Sequence, residues 1–276
     1  MRIENERYFV EFKEAGAEMT HFYDKELDLE YVWCGDATYW AGRNPILFPV
    51  ISSSYNGKYM FDGKLYEMGN HGFARHSTFR FVEKTEDTVV FCLESNEETL
   101  SQYPFKFKLY VTYELKDSEL TIGYRIENWD EKVMPFNFGL HPAFNCPLEK
   151  EDSFDDYWIE FSNEEVLHGF GPHEDLAKTK RLPLSYEAFE KAPTWSYHNL
   201  ASPYVSYTNG KHGVNVGVSG FPVVAIWTPQ APFICIEPWK GLGRRLAEDL
   251  PFEDRDAVIS LEPGNHYLTN YTVTVF

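Results

Sequence analysis

Phe105-Lys106-Phe107-Lys108-Leu109-Tyr110-Val111-Thr112-Tyr113-Glu114-Leu115 puts an apolar side chain at every odd position, while Lys106, Lys108, Thr112 and Glu114 take even ones. Strict period-2 alternation is the pattern of a strand with one face buried. The polar turn Lys116-Asp117-Ser118-Glu119 follows, and then Leu120, Ile122, Tyr124 and Ile126 alternate with Thr121, Gly123, Arg125 and Glu127. Two such runs joined by a short turn predict an antiparallel hairpin. Further strands are predicted at Tyr8–Phe12, Phe79–Glu83, Thr88–Glu94, Tyr157–Phe161, Val214–Val218, Val223–Trp227, Phe233–Ile236, Ala257–Leu261 and Tyr271–Phe276. Helical periodicity reaches a turn or two only at Tyr186–Lys191 and Leu246–Leu250. The chain therefore reads as all-β, a large antiparallel β-sandwich of two packed sheets. With no linker, composition shift or repeat, residues 1–276 are expected to form a single domain.

The 276 residues carry 25 Lys+Arg against 43 Asp+Glu, a formal net charge of −18. Binding to phosphate backbones needs a basic face, so a nucleic-acid partner is not expected. An anionic membrane surface is disfavoured for the same reason. No run approaches the ~18 apolar residues of a membrane span. The four cysteines, Cys34, Cys92, Cys146 and Cys235, are far apart and read as reduced thiols. The start, Met1-Arg2-Ile3-Glu4-Asn5-Glu6-Arg7, holds no apolar export segment. The expectation is a cytoplasmic protein, monomeric or homodimeric.

Four segments break the alternation: Gly42–Pro49, Gly69–His76, Asn137–Asn145 and Cys235–Gly241. His141 lies between Gly139 and Pro142, at a turn or strand end, with Phe138 and Phe144 around it. Such an imidazole can exchange a proton near neutrality, or it can simply cap a carbonyl. Glu237 follows the apolar run Phe233-Ile234-Cys235-Ile236 and precedes Pro238-Trp239, so Pro238 is expected to end the strand and aim the carboxylate into a cleft. A carboxylate there is costly unless paired or used. Trp239 offers a flat apolar face of the kind that packs on sugar C–H groups. His71 and Arg75 lie in a glycine-turned loop, and Arg75 presents a fork of donors for hydroxyls or carboxylates. Arg43 has the same two readings. Metal ligation finds no support in spacing: there is no His-x-His, no Cys/His zinc pattern and no helical His pair. Gly-x-Ser-x-Gly is absent, and Gly241-Leu242-Gly243 lacks the rest of a dinucleotide fingerprint.

Taken in order, Asn-Pro-x-Leu-Phe-Pro from Asn44, His-Gly-Phe-Ala-Arg from His71, Gly-Leu-His-Pro-Ala-Phe from Gly139 and Ile-Glu-Pro-Trp from Ile236 resemble the aldose 1-epimerase (galactose mutarotase-like) superfamily, and its LacX-like branch most closely. The resemblance runs from about Asn44 to Leu261-Glu262-Pro263-Gly264. It implies a large β-sandwich with an open cleft on one sheet, Glu237 as general base, His141 as general acid, and His71, Arg75 and Arg43 holding a small-molecule sugar. It also implies a reaction without cofactor or metal, since opening a cyclic hemiacetal needs only an acid and a base. One departure stands out. Relatives carry a sugar-binding Asp before the last motif, where this chain reads Ala192-Pro193-Thr194-Trp195-Ser196-Tyr197-His198. Three activities fit: a 1-epimerase of free hexoses, a hexose-6-phosphate 1-epimerase using Lys240, Arg244 and Arg245, and a carbohydrate-binding or sensing protein without catalysis. Keeping both Glu237 and His141 favours catalysis, and the acidic net charge favours a neutral sugar.

Overall fold

The alternation around Leu109 folds as the strand Phe107–Lys116, which pairs with Glu119–Asn128 from Phe107 opposite Asn128 to Lys116 opposite Glu119. Asp117 turns the chain with a left-handed backbone, φ 50°. The odd residues of the first strand and the even residues of the second are buried, as the period requires. The computed structural model describes residues 1–53, 57–171, 178–241, 250–255 and 257–276.

The hairpin sits inside a nine-stranded sheet. Its order is Thr179–Pro183, Trp158–Glu165, Tyr204–Thr208, Gly213–Gly217, His266–Val275, Glu119–Asn128, Phe107–Lys116, Thr88–Glu94 and Arg80–Lys84. A seven-stranded sheet runs Gly169–Phe170, Thr194–His198, Val223–Trp227, Phe233–Lys240, Phe138–Leu140 and Ile46–Leu47, with Ala143–Asn145 also on Phe233–Lys240. One contiguous apolar cluster joins Leu109, Val111 and Ile126 of the first sheet to Ile226, Ile234 and Ile236 of the second. That shared cluster is the filling of a sandwich. Arg2–Glu4, Tyr8–Phe12, Met19–Asp24 and Leu29–Glu30 form a four-stranded sheet; the hairpin Lys58–Phe61/Lys64–Glu67 and the pair Met134–Phe136/Ile259–Leu261 are the remaining strands described. Every pairing between these strands is antiparallel. No helix among the described residues is long and apolar enough to cross a membrane.

The expected strands form, with shifted ends. Tyr186–Lys191 is helical, capped by the Ser185 side chain. A second short helix, Glu97–Gln102, was not expected, because its signal is a cap rather than a periodicity: Asn96 accepts from the Thr99 backbone and Thr99 returns the bond. The other helical turn, Leu246–Leu250, lies all but entirely outside the described residues. The strand expected to stop at Ile236 instead continues to Lys240, straight through Pro238. The neighbouring strand explains this. Ala143–Asn145 pairs with Phe233–Cys235, and Phe138 and Gly139 pair with Lys240 and Trp239. Between them the partner strand is interrupted, so proline falls beside a gap in the ladder rather than within it.

Phe48 ties the core to the site-bearing segments. It is fully buried and meets Phe73, Tyr103, Phe107 and Phe136 edge-on or tilted, at centroid distances of 5.2–6.1 Å. Phe48→Ala should lower the unfolding free energy by about 3–5 kcal/mol. A denaturant titration should place the loss in the midpoint with the slope unchanged; a loss below about 1 kcal/mol would mean the cavity collapses freely.

Candidate active site

The site is built on the outer face of the seven-stranded sheet. Along Phe233–Lys240, Ile234 and Ile236 enter the shared core, while Phe233, Cys235, Glu237 and Trp239 point the other way. The interrupted partner strand decides what Glu237 meets. Cys235 is opposite Ala143 and Trp239 is opposite Gly139, and the same register carried across the gap sets His141 opposite Glu237. His141 Nε2 lies 3.4 Å from Glu237 Oε1. The backbone N–H of His141 donates to the Pro45 carbonyl at 3.2 Å, which binds the turn to the Asn44–Pro49 segment. That segment is itself anchored. Glu18, buried, accepts from the backbone N–H groups of Arg43 at 2.7 Å and Asn44 at 2.8 Å, and pairs with Lys13.

His71 arrives from the loop before Gly72. Its backbone is left-handed, φ 64°, and Gly72 follows at φ 74°. A side chain at Gly72 would meet the Phe48 carbonyl oxygen at 2.2 Å, so only glycine fits the close approach. Ser52 N–H donates to His71 Nδ1 at 3.0 Å. This fixes the tautomer, because an accepting Nδ1 leaves the proton on Nε2. The His71 and His141 rings meet edge to face at 5.8 Å.

Arg75, in the 3₁₀ turn Ala74–His76, is partly buried and feels the carboxylates of Glu18 and Glu237. No hydrogen bond or ion pair to another described residue holds its guanidinium, so its donors are free for a ligand. Arg43 behaves differently. Its Nη2 donates to the Cys34 carbonyl, and its guanidinium carbon would sit 2.9 Å from a side chain at Gly35. The contacts of Arg43 are thus with the Cys34-Gly35 turn and with Glu18. Trp239 shares the site face but is only 9% exposed, packed among Leu47, Ile51, Val223 and Ala225. Lys240 donates to the Gly220 carbonyl and lies 4.7 Å over the Phe221 ring. Arg244 and Arg245 lie outside the described residues.

Two aromatic walls escape sequence reasoning. Trp40 stacks on His141 at 4.8 Å and 27°, and Trp227 meets the same ring edge-on at 5.3 Å. Trp227 ends the apolar strand Val223–Trp227, a readable element; Trp40 comes from a loop and carries no signal. Gly42 makes room for Trp40, since a side chain there would strike the indole at 2.5 Å. The stretch Ala192–His198, where the resemblance implied an Asp, holds the strand Thr194–His198, whose Trp195 and Tyr197 enter the core. Ser196 pairs with Ala225, and Ala225 with Glu237, so Ser196 lies on the site face two strands from the carboxylate. The fold also assembles a donor set that linear spacing hid. One donor atom each from His141, Cys235 and Glu237 lie within 4.8 Å of one another.

Burial sets the electrostatics. It pushes the Glu237 carboxyl well above its ordinary range, with the Trp239 indole N–H and Arg75 pulling it back. Burial pushes the His141 imidazole well down, reinforced by His71 and Arg75. His71 is pushed down to about 4 by burial and by Arg75, so it stays neutral and offers its Nε2–H as a donor. The sequence reading gave an ionised Glu237 and a protonated His141. Burial alone favours the uncharged arrangement, and both arrangements hold one proton between the pair.

Comparisons with known proteins agree with this architecture. The family model described as aldose 1-epimerase matches residues 1–272. The plasmid-encoded protein LacX of Lactococcus lactis subsp. lactis is 33% identical over 300 residues, covering 100% of this chain and 99% of that protein. The crystal structure of a galactose mutarotase-like protein from Lactobacillus casei superposes with a TM-score of 0.91 at 34% identity, covering 100% of this chain and 99% of the other. A galactose mutarotase related enzyme from Lactobacillus acidophilus gives 0.93 at 28% identity, with 100% and 97% coverage.

The buried groups tie stability to pH. Unfolded, a histidine takes a proton near 6.5, which folded His71 refuses until about pH 4. Stability should therefore fall as pH drops from 6.5 toward 4, by up to about 3 kcal/mol from this group. Glu237 acts with the opposite sign: the unfolded carboxyl ionises near 4.5 while the folded one keeps its proton, so stability falls as pH rises past 4.5. Glu237→Gln should raise the melting temperature at pH 7, with the gain shrinking toward pH 4.5. An equal shift at both pH values would show that its cause is packing and not charge.

Proposed function

Since the chain belongs to the aldose 1-epimerase family, we propose that it interconverts the α and β anomers of a free hexose by acid–base opening of the sugar ring. The observation that carries the reading is the 3.4 Å approach of His141 to Glu237, beside the unengaged donors of Arg75 and His71.

The chemistry follows from one proton held by the pair. C1 of a cyclic hexose bears two oxygens, the anomeric hydroxyl and the ring oxygen, so an acid and a base must act side by side. Glu237, ionised, takes the proton of the C1 hydroxyl. His141, protonated, gives a proton to the ring oxygen as the C1–ring oxygen bond breaks and the aldehyde C=O forms. Rotation about C1–C2 presents the other face of the aldehyde. The hydroxyl then adds back, Glu237 returns its proton to the carbonyl oxygen and His141 recovers one from the attacking hydroxyl. The cycle consumes no cofactor. Each positioned group contributes about 10²–10⁴-fold in rate.

Arg75 eases ionisation of Glu237 but opposes a charge on His141, so the shared proton rests on Glu237 and crosses the 3.4 Å contact to His141 before the ring opens. The neutral His71 donates through Nε2 to a sugar oxygen without adding charge. Trp40 and Trp227 hold the His141 ring in plane and edge, which fixes where its proton points. Ser196 offers an uncharged partner for a sugar hydroxyl on the strand where the resemblance implied an Asp. A neutral hexose is favoured over its 6-phosphate by the net charge of −18 and by Lys240, whose ammonium is already bonded to the Gly220 carbonyl.

Anomer interconversion should be followed with α-glucose, α-galactose and glucose 6-phosphate. Glu237→Gln should lower kcat at least about 10²-fold with little change in sugar affinity. His141→Asn should act on kcat, whereas His71→Asn should chiefly raise KM. The rate should be bell-shaped in pH, since both adding a second proton to the pair and removing its only one stop the reaction. A Gln variant that keeps most of its rate would refute the role of Glu237. A tenfold or greater preference for the 6-phosphate would refute the neutral substrate.

A further inference from the structure

We propose that His141, Cys235 and Glu237 form a binding site for one thiophilic divalent cation, Zn²⁺ above all, and that its occupancy silences the enzyme; the second half rests on the reading of His141 and Glu237 as the reacting pair.

The donors suit the ion. Imidazole nitrogen, thiolate sulfur and carboxylate oxygen are the three ligand types that zinc takes, with bonds of about 2.0–2.3 Å. In a tetrahedral site those bonds set neighbouring ligand atoms about 3.3–3.8 Å apart. Here His141 and Glu237 already stand at 3.4 Å, and the Cys235 donor is within 4.8 Å of both, so closure needs a shift of about 1 Å. One further atom points to an unfilled role. Glu237 Oε2 is buried and has no hydrogen-bond partner, an arrangement that calls for an explanation in a native fold. All three side chains sit on paired strands or at the gap between them, with Cys235 and Glu237 two residues apart on one face, so the set is held rigidly.

Charge is the strongest argument. A dication with one carboxylate, one thiolate and one neutral imidazole sums to zero. The pocket, walled by Trp40, Trp227 and Phe233, therefore holds no net charge when occupied, which a buried apolar box demands. Binding is balanced by loss of the thiol proton of Cys235, and of the carboxyl proton of Glu237 where it carries one, to solvent; His141 lends only a lone pair. No bond or electron is otherwise exchanged. The cation then stands where the working proton was. Glu237 cannot accept from the C1 hydroxyl and His141 cannot donate to the ring oxygen. Sequence spacing could not disclose this set, because Cys235 and Glu237 are a bare C-x-E and His141 joins them only through the interrupted strand.

The test uses the intact protein and two probes. Co²⁺ added to the metal-free chain should bind with one-to-one stoichiometry and produce thiolate-to-cobalt charge-transfer absorption, which Cys235→Ala should abolish. Zn²⁺ should inhibit anomer interconversion reversibly and in competition with sugar, with activity restored by chelator. Cys235→Ala, which leaves the acid, the base and the sugar-holding donors in place, should keep its basal rate and need about tenfold more Zn²⁺, or above, for half-inhibition. Cys235→Ser serves where the alanine variant misfolds. No charge-transfer band, or equal Zn²⁺ sensitivity in wild type and variant, would overturn the site. A band in a wild-type protein that turns over no sugar would uphold the cation site and refute the proposed function instead.

Discussion

A single interruption in one strand organises the active face. Antiparallel pairing along Phe233–Lys240 would ordinarily satisfy each backbone group and leave the sheet smooth. Between Ala143 and Gly139 that pairing lapses, and the lapse does two things at once. It gives Pro238 a place where its missing N–H costs the ladder nothing, and it turns His141 out of the strand with the register intact, so that the imidazole falls against Glu237. A regular ladder in this register would also set residue 141 beside Glu237; what the gap changes is the His141 backbone N–H, which bonds the Pro45 carbonyl instead. The supports around the gap have the same logic: Glu18 clamps Arg43 and Asn44, Pro45 receives the His141 N–H, and Gly72 lets the His71 turn press against the Phe48 carbonyl.

Burial then decides what the pair can do. A surface Glu and His would titrate independently and spend neutral pH with the carboxylate charged and the imidazole mostly neutral. Within the aromatic walls each charge is disfavoured, so the two groups are driven to hold one proton in common. A reaction that takes a proton from one oxygen and gives a proton to another on the same carbon matches that arrangement. The Arg75 guanidinium eases ionisation of Glu237 and opposes a charge on His141, without a hydrogen bond to either. The same desolvation that prepares the pair weighs against folding, a common relation between active sites and stability.

Much of this was legible in the sequence, for identifiable reasons. Period 2 around Leu109 and Ile122 is imposed by the sheet itself, so the all-β sandwich could be read from it. Among the candidates, His71 and His141 are marked by the Gly and Pro that follow them and Glu237 by Pro238, whereas Arg75 has only its fork of donors and the resemblance to point to it. What could not be read depends on register between distant strands. Trp40 reaches His141 from a loop with no pattern of its own. Cys235 looked like one more apolar core residue. Arg43 gave the opposite outcome: its neighbourhood in sequence suggested a ligand contact, whereas its side chain bonds the Cys34 carbonyl. The run to Lys240 was hidden by Pro238, because a proline reads as a stop unless the gap beside it is known.

The stacking of Trp40 on His141 has an optical side. An excited indole gives up an electron readily, and an imidazolium accepts one far better than a neutral imidazole does. With the rings 4.8 Å apart and nearly parallel, and Trp227 at 5.3 Å from the same imidazole, the emission of these two tryptophans is coupled to whether His141 carries the proton. The walls that confine the imidazole therefore also report on it. The protonation state of the His141–Glu237 pair can be watched in the resting protein, without substrate or label, as a change in its native fluorescence.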